Sequence, residues 1–130
     1  MAAYGIDMKS TTFDQYETPE EWLSWAGILS SLPITTIKFH QLQIIRNTQM
    51  AETYSHEPHR FYKFTFPEYV EFMVDFLEHL NPDFIVERFA GEVPPRFLQE
   101  QHWDLIRNEQ IVQIIEKRLL ERNTWQGRLF

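Results

Sequence analysis

The chain has 130 residues, 43% hydrophobic and 15% aromatic, which suits one domain with its own core. It contains no cysteine, so these residues cannot form disulfides, thiol nucleophiles, thiolate zinc sites or cysteine-held iron–sulfur clusters. Twelve basic against 19 acidic residues leave a net charge of -7, which disfavours general attraction to nucleic acid or anionic membrane but leaves room for a local basic patch. No apolar run reaches the ~18 residues of a membrane span and no signal-peptide pattern opens the chain, so a soluble, cytoplasmic protein is expected.

Residues 1–17 show no sustained period and carry Ser10, Thr11 and Thr12 in a row; they read as a loosely ordered N-terminal segment ahead of a single α/β domain over 18–130. Thr18-Pro19-Glu20-Glu21 predicts a helix start, with Thr18 as cap, Pro19 at the first helical position and Glu21 closing a capping box. Trp22, Leu23, Trp25, Ala26 and Leu29 recur at helical spacing to about Ser31, where Leu32-Pro33 stops the helix. Ile37–Ile45 predicts a strand, followed by Asn47, a residue type suited to a left-handed turn. Residues 49–63 read as a loop. Thr65-Phe66-Pro67-Glu68 is a second capping box, with Phe64 and Tyr69 as its hydrophobic staple. Val70, Met73, Phe76, Leu77 and Leu80 carry an apolar stripe to the stop at Asn81-Pro82.

Phe84–Ala90 predicts a second strand, closed by Gly91 and followed by the break Pro94-Pro95. A short irregular or helical piece leads through Trp103 to Asn108, the expected cap of a last helix with Ile111, Ile114, Ile115 and Leu119 inward. Strands separated by a full helix are expected to be parallel, which gives an α/β class with a small partial parallel sheet and a β-α-β crossover. Two parallel strands are too few for a stable sheet. The pattern calls for an added strand in the N-terminal segment, a partner molecule, or neighbours outside the sequence.

The segment Thr36-Ile37-Lys38-Phe39-His40-Gln41-Leu42-Gln43-Ile44-Ile45-Arg46-Asn47-Thr48, preceded by Ile28-Leu29-Ser30-Ser31-Leu32-Pro33-Ile34, resembles the last barrel helix and strand of YhcC-like radical SAM proteins, which carry Lys-x-His-x-Leu there and a terminal Gly-Thr. Glu87-Arg88-Phe89-Ala90-Gly91-Glu92-Val93-Pro94, with Trp103 and an amphipathic helix after it, is similar to that family's C-terminal region. The resemblance implies a remnant of the C-terminal end of a radical SAM barrel plus a C-terminal extension. Its parent would be an Fe-S oxidoreductase using a [4Fe-4S] cluster and S-adenosylmethionine. The chain departs from the family in lacking the Cys-x3-Cys-x2-Cys loop and the Gly-Leu-Pro-Gly-Glu turn, and in having Asn47 for the glycine before Thr48. The resemblance therefore implies a fragment that is not catalytically competent alone, holds no cofactor itself, and has the remainder of the parent barrel as its partner. Exposed strand edges also predict a homo-oligomer when the chain is isolated. The alternative is a small self-associating α/β interaction module without enzymatic activity.

Alternation along the first predicted strand puts Lys38, His40, Leu42 and Ile44 on one face and Ile37, Phe39, Gln41, Gln43 and Ile45 on the other. In a barrel, Lys38 and His40 would face the lumen, with His40 as hydrogen-bond donor or proton carrier; the competing reading is a partly exposed strand with a structurally satisfied histidine. The resemblance implies that Gln41, Leu42, Gln43 and Ile44 border the adenosyl pocket of the parent. Arg88 offers a planar fork to a carboxylate or phosphate, against the commoner role of an ion-pair partner at a sheet edge, with Glu87 expected on the opposite face. His56-Glu57-Pro58-His59 is read as a solvated loop, because Pro58 breaks the helix that would align metal ligands. Trp22, Trp25, Phe72, Phe76 and Trp103 are read as core rather than base-stacking platforms. Arg118, Arg122 and Arg128 are read as a solvated face. No nucleophile elbow or glycine-rich phosphate loop is present.

Overall fold

Strand β1 (Ala3–Asp7) lies inside the N-terminal segment that carries no sequence period. It supplies the added strand that the two-strand pattern demanded. The structure is a computed structural model; it describes residues 3–7, 19–40, 46–60, 64–91, 94–98, 103 and 106–130, with the backbone alone at 3–7, 60 and 95. Helix α1 (Pro19–Ser30) follows and buries Trp22, Ala26 and Ser30 at the predicted spacing; the expected cap, Thr18, lies outside the described residues.

Strand β2 (Thr36–His40) alternates buried Ile37 and Phe39 with exposed Lys38, and the rest of the predicted strand, Gln41 to Ile45, lies outside the described residues. The backbone then turns at Asn47 with φ 61°, the conformation that glycine adopts most cheaply and asparagine tolerates. Helix α2 (Gln49–His56) comes next, where the sequence reads as a loop. Its start is set by the Thr48 hydroxyl, which accepts the Ala51 N–H at 3.2 Å. Only Ala51 is buried on it, so the apolar stripe that reveals α1 is missing. A single 3-10 turn follows at Pro58–Arg60.

Helix α3 (Phe66–Glu78) opens on the predicted capping box: Thr65 accepts the Glu68 N–H at 3.3 Å while Glu68 accepts the Thr65 N–H at 3.0 Å. Phe64 meets Tyr69 at 5.7 Å between ring centroids, the predicted staple. Helix α3 is buried on most sides, from Tyr69 to Glu78, because α1 and α4 pack against it. Strand β3 (Ile85–Arg88) is shorter than its prediction, and a 3-10 turn at Pro95–Phe97 leads toward helix α4 (Asn108–Glu121). Asn108 is the first helical residue rather than the cap. Arg107 stands outside the helix with its N–H donated to the Gln110 side chain at 2.9 Å, while the Asn108 side chain accepts the Phe89 N–H at 2.8 Å and ties α4 to the end of β3.

The sheet has the order β1-β2-β3 with both pairings parallel. Ile37 and Phe39 share one core with Trp22 and Ala26 of α1, Phe72 and Phe76 of α3, and Ile111 and Ile115 of α4. All three helices thus cover the same face. The Phe39 ring packs edge-on to Phe76 at 5.3 Å and stacks on Phe89 at 6.0 Å. The C-terminal residues close the far end: Gly127 and Leu129 donate to the Leu77 and Glu78 carbonyls at 2.9 and 2.7 Å, so α3 ends without orphaned acceptors there.

Candidate functional site

The face of the sheet turned away from the helices is the first candidate. Lys38 projects onto it and meets Glu87 of the adjacent strand at 3.4 Å. Ile85 lies beside them, 56% exposed although it is a β-branched apolar residue in a parallel sheet, and His40 is half-buried at the end of β2. The pairing of β2 with β3 slips by one residue between Ile37 and Lys38, so that Lys38 stands opposite Arg88 rather than Glu87. Val86 and Phe89 both reach the core, and Glu87 and Arg88 between them are both exposed. The simple alternation that sent these two to opposite faces fails at this irregularity. Gln41, Leu42, Gln43 and Ile44, the expected border of an adenosyl pocket, lie outside the described residues.

The carboxyl ends of β2 and β3 form the second candidate. Arg46 donates its backbone N–H to the Phe97 carbonyl at 2.7 Å and its Nε to the Leu98 carbonyl at 2.6 Å. The turn after β2 is thereby fastened to the segment after β3. The Arg96 guanidinium lies 4.6 Å from the centre of the exposed Phe97 ring. The Phe89–Asn108 hydrogen bond ties the residue after Arg88 to the residue after Arg107. Arg46, Arg88, Arg96 and Arg107 form no ion pair with a described residue.

The arginines of the third region are in the opposite state. Arg118 bonds Glu71, and also reaches Glu121 at 3.2 Å. Arg122 meets Glu71, Asp75 and Glu78 at 3.2, 2.7 and 3.2 Å, and Arg128 meets Glu78 at 2.6 Å. These are ion-paired groups bridging α3, α4 and the C-terminal residues, not a solvated face. Glu78 is the hub, buried to 4% exposure, with the Thr124 hydroxyl donating to it at 2.6 Å. Burial pushes its carboxyl up, but the hydrogen bonds from Thr124 and Arg128 and the charges of Arg122 and Arg128 outweigh burial and hold it below the ordinary carboxylate range. The spacing Glu71, Asp75, Glu78 on α3 against Arg118 and Arg122 on α4 was a readable signal for this network.

Trp22, Phe72 and Phe76 lie in the core, and Trp25 and Trp103 pack against it. Tyr69 is fully buried, donates its hydroxyl to the Phe89 carbonyl at 2.5 Å, and sits 4.9 Å from the Trp103 ring. Burial raises its phenol above the usual range. His56 and Glu57 end α2, and with Pro58 and His59 they are exposed; among the described residues no group of three histidine or acidic side chains could hold a metal. No helix among the described residues is long and apolar enough to cross a membrane.

A family model for the radical SAM C-terminal domain matches residues 34–121, more than half of the chain. The chain belongs to that family. Among curated proteins, this radical SAM C-terminal domain is 32% identical over 117 residues to the uncharacterized protein MJ0486 of Methanocaldococcus jannaschii, covering 88% of this chain and 35% of that protein. It is 27% identical over 114 residues to the uncharacterized protein YtqA of Bacillus subtilis, covering 88% of this chain and 34% of that one. The chain thus spans about a third of the length of these relatives. Among solved structures, Elp3 of Methanocaldococcus infernus with an N-terminal deletion superposes with a TM-score of 0.69 at 10% identity, over 95% of this chain and 28% of that one. That likeness gives the fold: the α/β arrangement is the one found in a portion of Elp3. Asn47-Thr48 combines a left-handed residue with the N-cap of α2.

Proposed function

We propose that the chain serves as the C-terminal part of a radical SAM Fe-S oxidoreductase of the YhcC-like kind, supplying barrel strands and the layer that covers them. The observation that carries this reading is the one-sided sheet. Strands placed in sequential order, with the crossover helices α1 and α3 in one core with β2, wind in a single direction, as in a barrel, whereas a doubly wound sheet carries helices on both faces. The other face then belongs to a lumen, and parallel sheets are normally buried on both sides. Lys38, His40 and Glu87 would line that lumen, with Gln41, Leu42, Gln43 and Ile44 beside the adenosyl group.

The residues present do not fit the [4Fe-4S] cluster itself, because the 130 residues include no cysteine. The cluster and most of the S-adenosylmethionine site would come from the remainder of the barrel. This chain's own residues would close the lumen wall, exclude water and place Lys38 and His40 toward the substrate.

The test is an exchange. Incubated anaerobically with iron and sulfide, the chain alone is expected to bind no cluster and to leave S-adenosylmethionine intact. Substituted for the matched third of YtqA, it is expected to give a protein that holds a cluster and cleaves S-adenosylmethionine reductively to 5′-deoxyadenosine. Cleavage by the chain alone, or a cluster-loaded hybrid that leaves S-adenosylmethionine intact while YtqA cleaves it, rejects the reading.

A further inference from the structure

The C-terminal residues reverse the usual sorting of side chains. Trp125, Leu129 and Phe130 are exposed, Trp125 to 58%, although large apolar groups ordinarily gain from burial. The polar residues beside Trp125 are the ones engaged with the fold. Thr124 is buried and its hydroxyl donates to Glu78 at 2.6 Å, and the Gln126 side-chain amide donates to the Asn81 and Phe84 carbonyls at 2.9 Å. Arg128 donates its N–H to the Trp125 carbonyl at 3.2 Å and Phe130 to the Gly127 carbonyl at 3.1 Å, two turns that hold the three apolar residues within one short stretch of surface. A lone exposed apolar residue is ordinary; several together mark a contact surface.

The patch is already ordered. Gly127 and Leu129 are held on the Leu77 and Glu78 carbonyls, and Arg122 and Arg128 at its rim are paired with Glu78. An aromatic centre with an ion-paired polar rim has the make-up of a protein–protein contact, and fixing its backbone beforehand lowers the entropy cost of binding. The connections at this end of the fold, residues 31–35 and 79–84, are described along with residues 122–130, and they leave the patch uncovered.

Gln126 fixes the place of the patch at the amino end of the sheet, since its partner Phe84 immediately precedes β3. Ala3 opens β1 at the same level: it stands opposite Thr36, and Thr36 stands opposite Ile85. Two strand spacings, about 10 Å, separate Ala3 from β3. About two thirds of each curated relative lies outside the match, and on the reading of the chain as the C-terminal part of such a protein that remainder precedes β1. It therefore arrives at the end of the sheet that carries the patch. We propose that Trp125, Leu129 and Phe130 form a docking surface for it: an apolar segment of the parent's preceding portion lies across the amino end of the sheet and covers them. The inference rests on the C-terminal reading and goes beyond it, because closing a barrel covers the face and edges of a sheet but not the ends of its strands.

The test compares the whole chain with its hybrid with YtqA by hydroxyl-radical footprinting read by mass spectrometry. Trp125 is expected to oxidise readily in the isolated chain and several-fold more slowly in the hybrid. Trp125→Ser is expected to leave the thermal midpoint of the isolated chain unchanged, because the side chain is exposed there, and to lower that of the hybrid. Cluster content, read from visible absorbance, scores the barrel reading separately. A cluster-loaded hybrid in which Trp125 oxidises as fast as in the isolated chain overturns the docking surface and leaves the barrel reading in place, whereas a hybrid that takes up no cluster while YtqA does removes both. Protection of Trp125 in the isolated chain that grows with concentration assigns the patch to a second copy and also overturns the proposal.

Discussion

At Gly127 the backbone has φ +86°, and a Cβ placed there would stand 2.8 Å from the Pro82 Cβ and Cδ atoms. The proline ring cannot swing aside as a flexible side chain would. The same residue donates to the Leu77 carbonyl at 2.9 Å, and two residues later Leu129 donates to Glu78. Gly127→Ala is therefore expected to cost about 2–3 kcal/mol, from the left-handed backbone, the overlap and the weakened closure of α3. Gly27, within α1, provides the contrast, because nothing lies within 4 Å of a Cβ built there. Gly27→Ala is expected to stabilise by about 0.5–1 kcal/mol through helix propensity alone. Urea denaturation of both variants beside the parent measures the two changes, and the same sign for both would contradict this account. Neither outcome is written in local sequence: the two glycines differ in what the folded chain brings against them. Asn47 was legible because its left-handed tendency is intrinsic, whereas Asn108 looked like a cap and instead answers to Phe89, 19 residues away.

Among the elements, α1, α3 and α4 announced themselves by apolar spacing and α3 by its capping box as well. Helix α2 did not, because its start rests on one hydroxyl and its burial on one alanine. The outward pair on β3 was misread because a one-residue slip in register cannot be seen in a single strand's alternation. The α3–α4 contact combines both kinds of information, apolar residues inside and charges along the seam. Glu78 titrates below its ordinary range in the folded chain, so it contributes stability above the unfolded carboxyl value of about 4.3 that is lost as pH falls through the folded value. Thermal midpoints are expected to be level near neutral pH and to drop below about pH 4. Glu78→Gln is expected to cost about 2 kcal/mol at neutral pH, since Arg122 and Arg128 lose a buried partner but keep contact with solvent. It should also flatten the acid slope. A variant with an unchanged slope would place the acid lability elsewhere.

For the whole molecule, the decisive property is that three parallel strands carry α1, α3 and α4 on one face. A sheet of this kind has two ways to cover its other face: the strands of a longer barrel, or a second copy of itself. For the isolated chain the second is the one to test, and Ile85 is an apolar side chain that would gain from it. At 56% exposure, its burial contributes about 1 kcal/mol per copy, and β3 is the edge strand among the described residues. Analytical ultracentrifugation over a range of concentrations is expected to show reversible self-association, weakened in Ile85→Lys. Leu120→Lys is the control, because Leu120 is more exposed, at 81%, but lies on α4 away from the sheet. If both substitutions act alike, general stickiness of the surface explains the association. If Ile85→Lys alone dissociates the chain, the uncovered sheet is the adhesive face. The same substitution in the hybrid with YtqA should then impair barrel closure, because one side chain would serve both contacts.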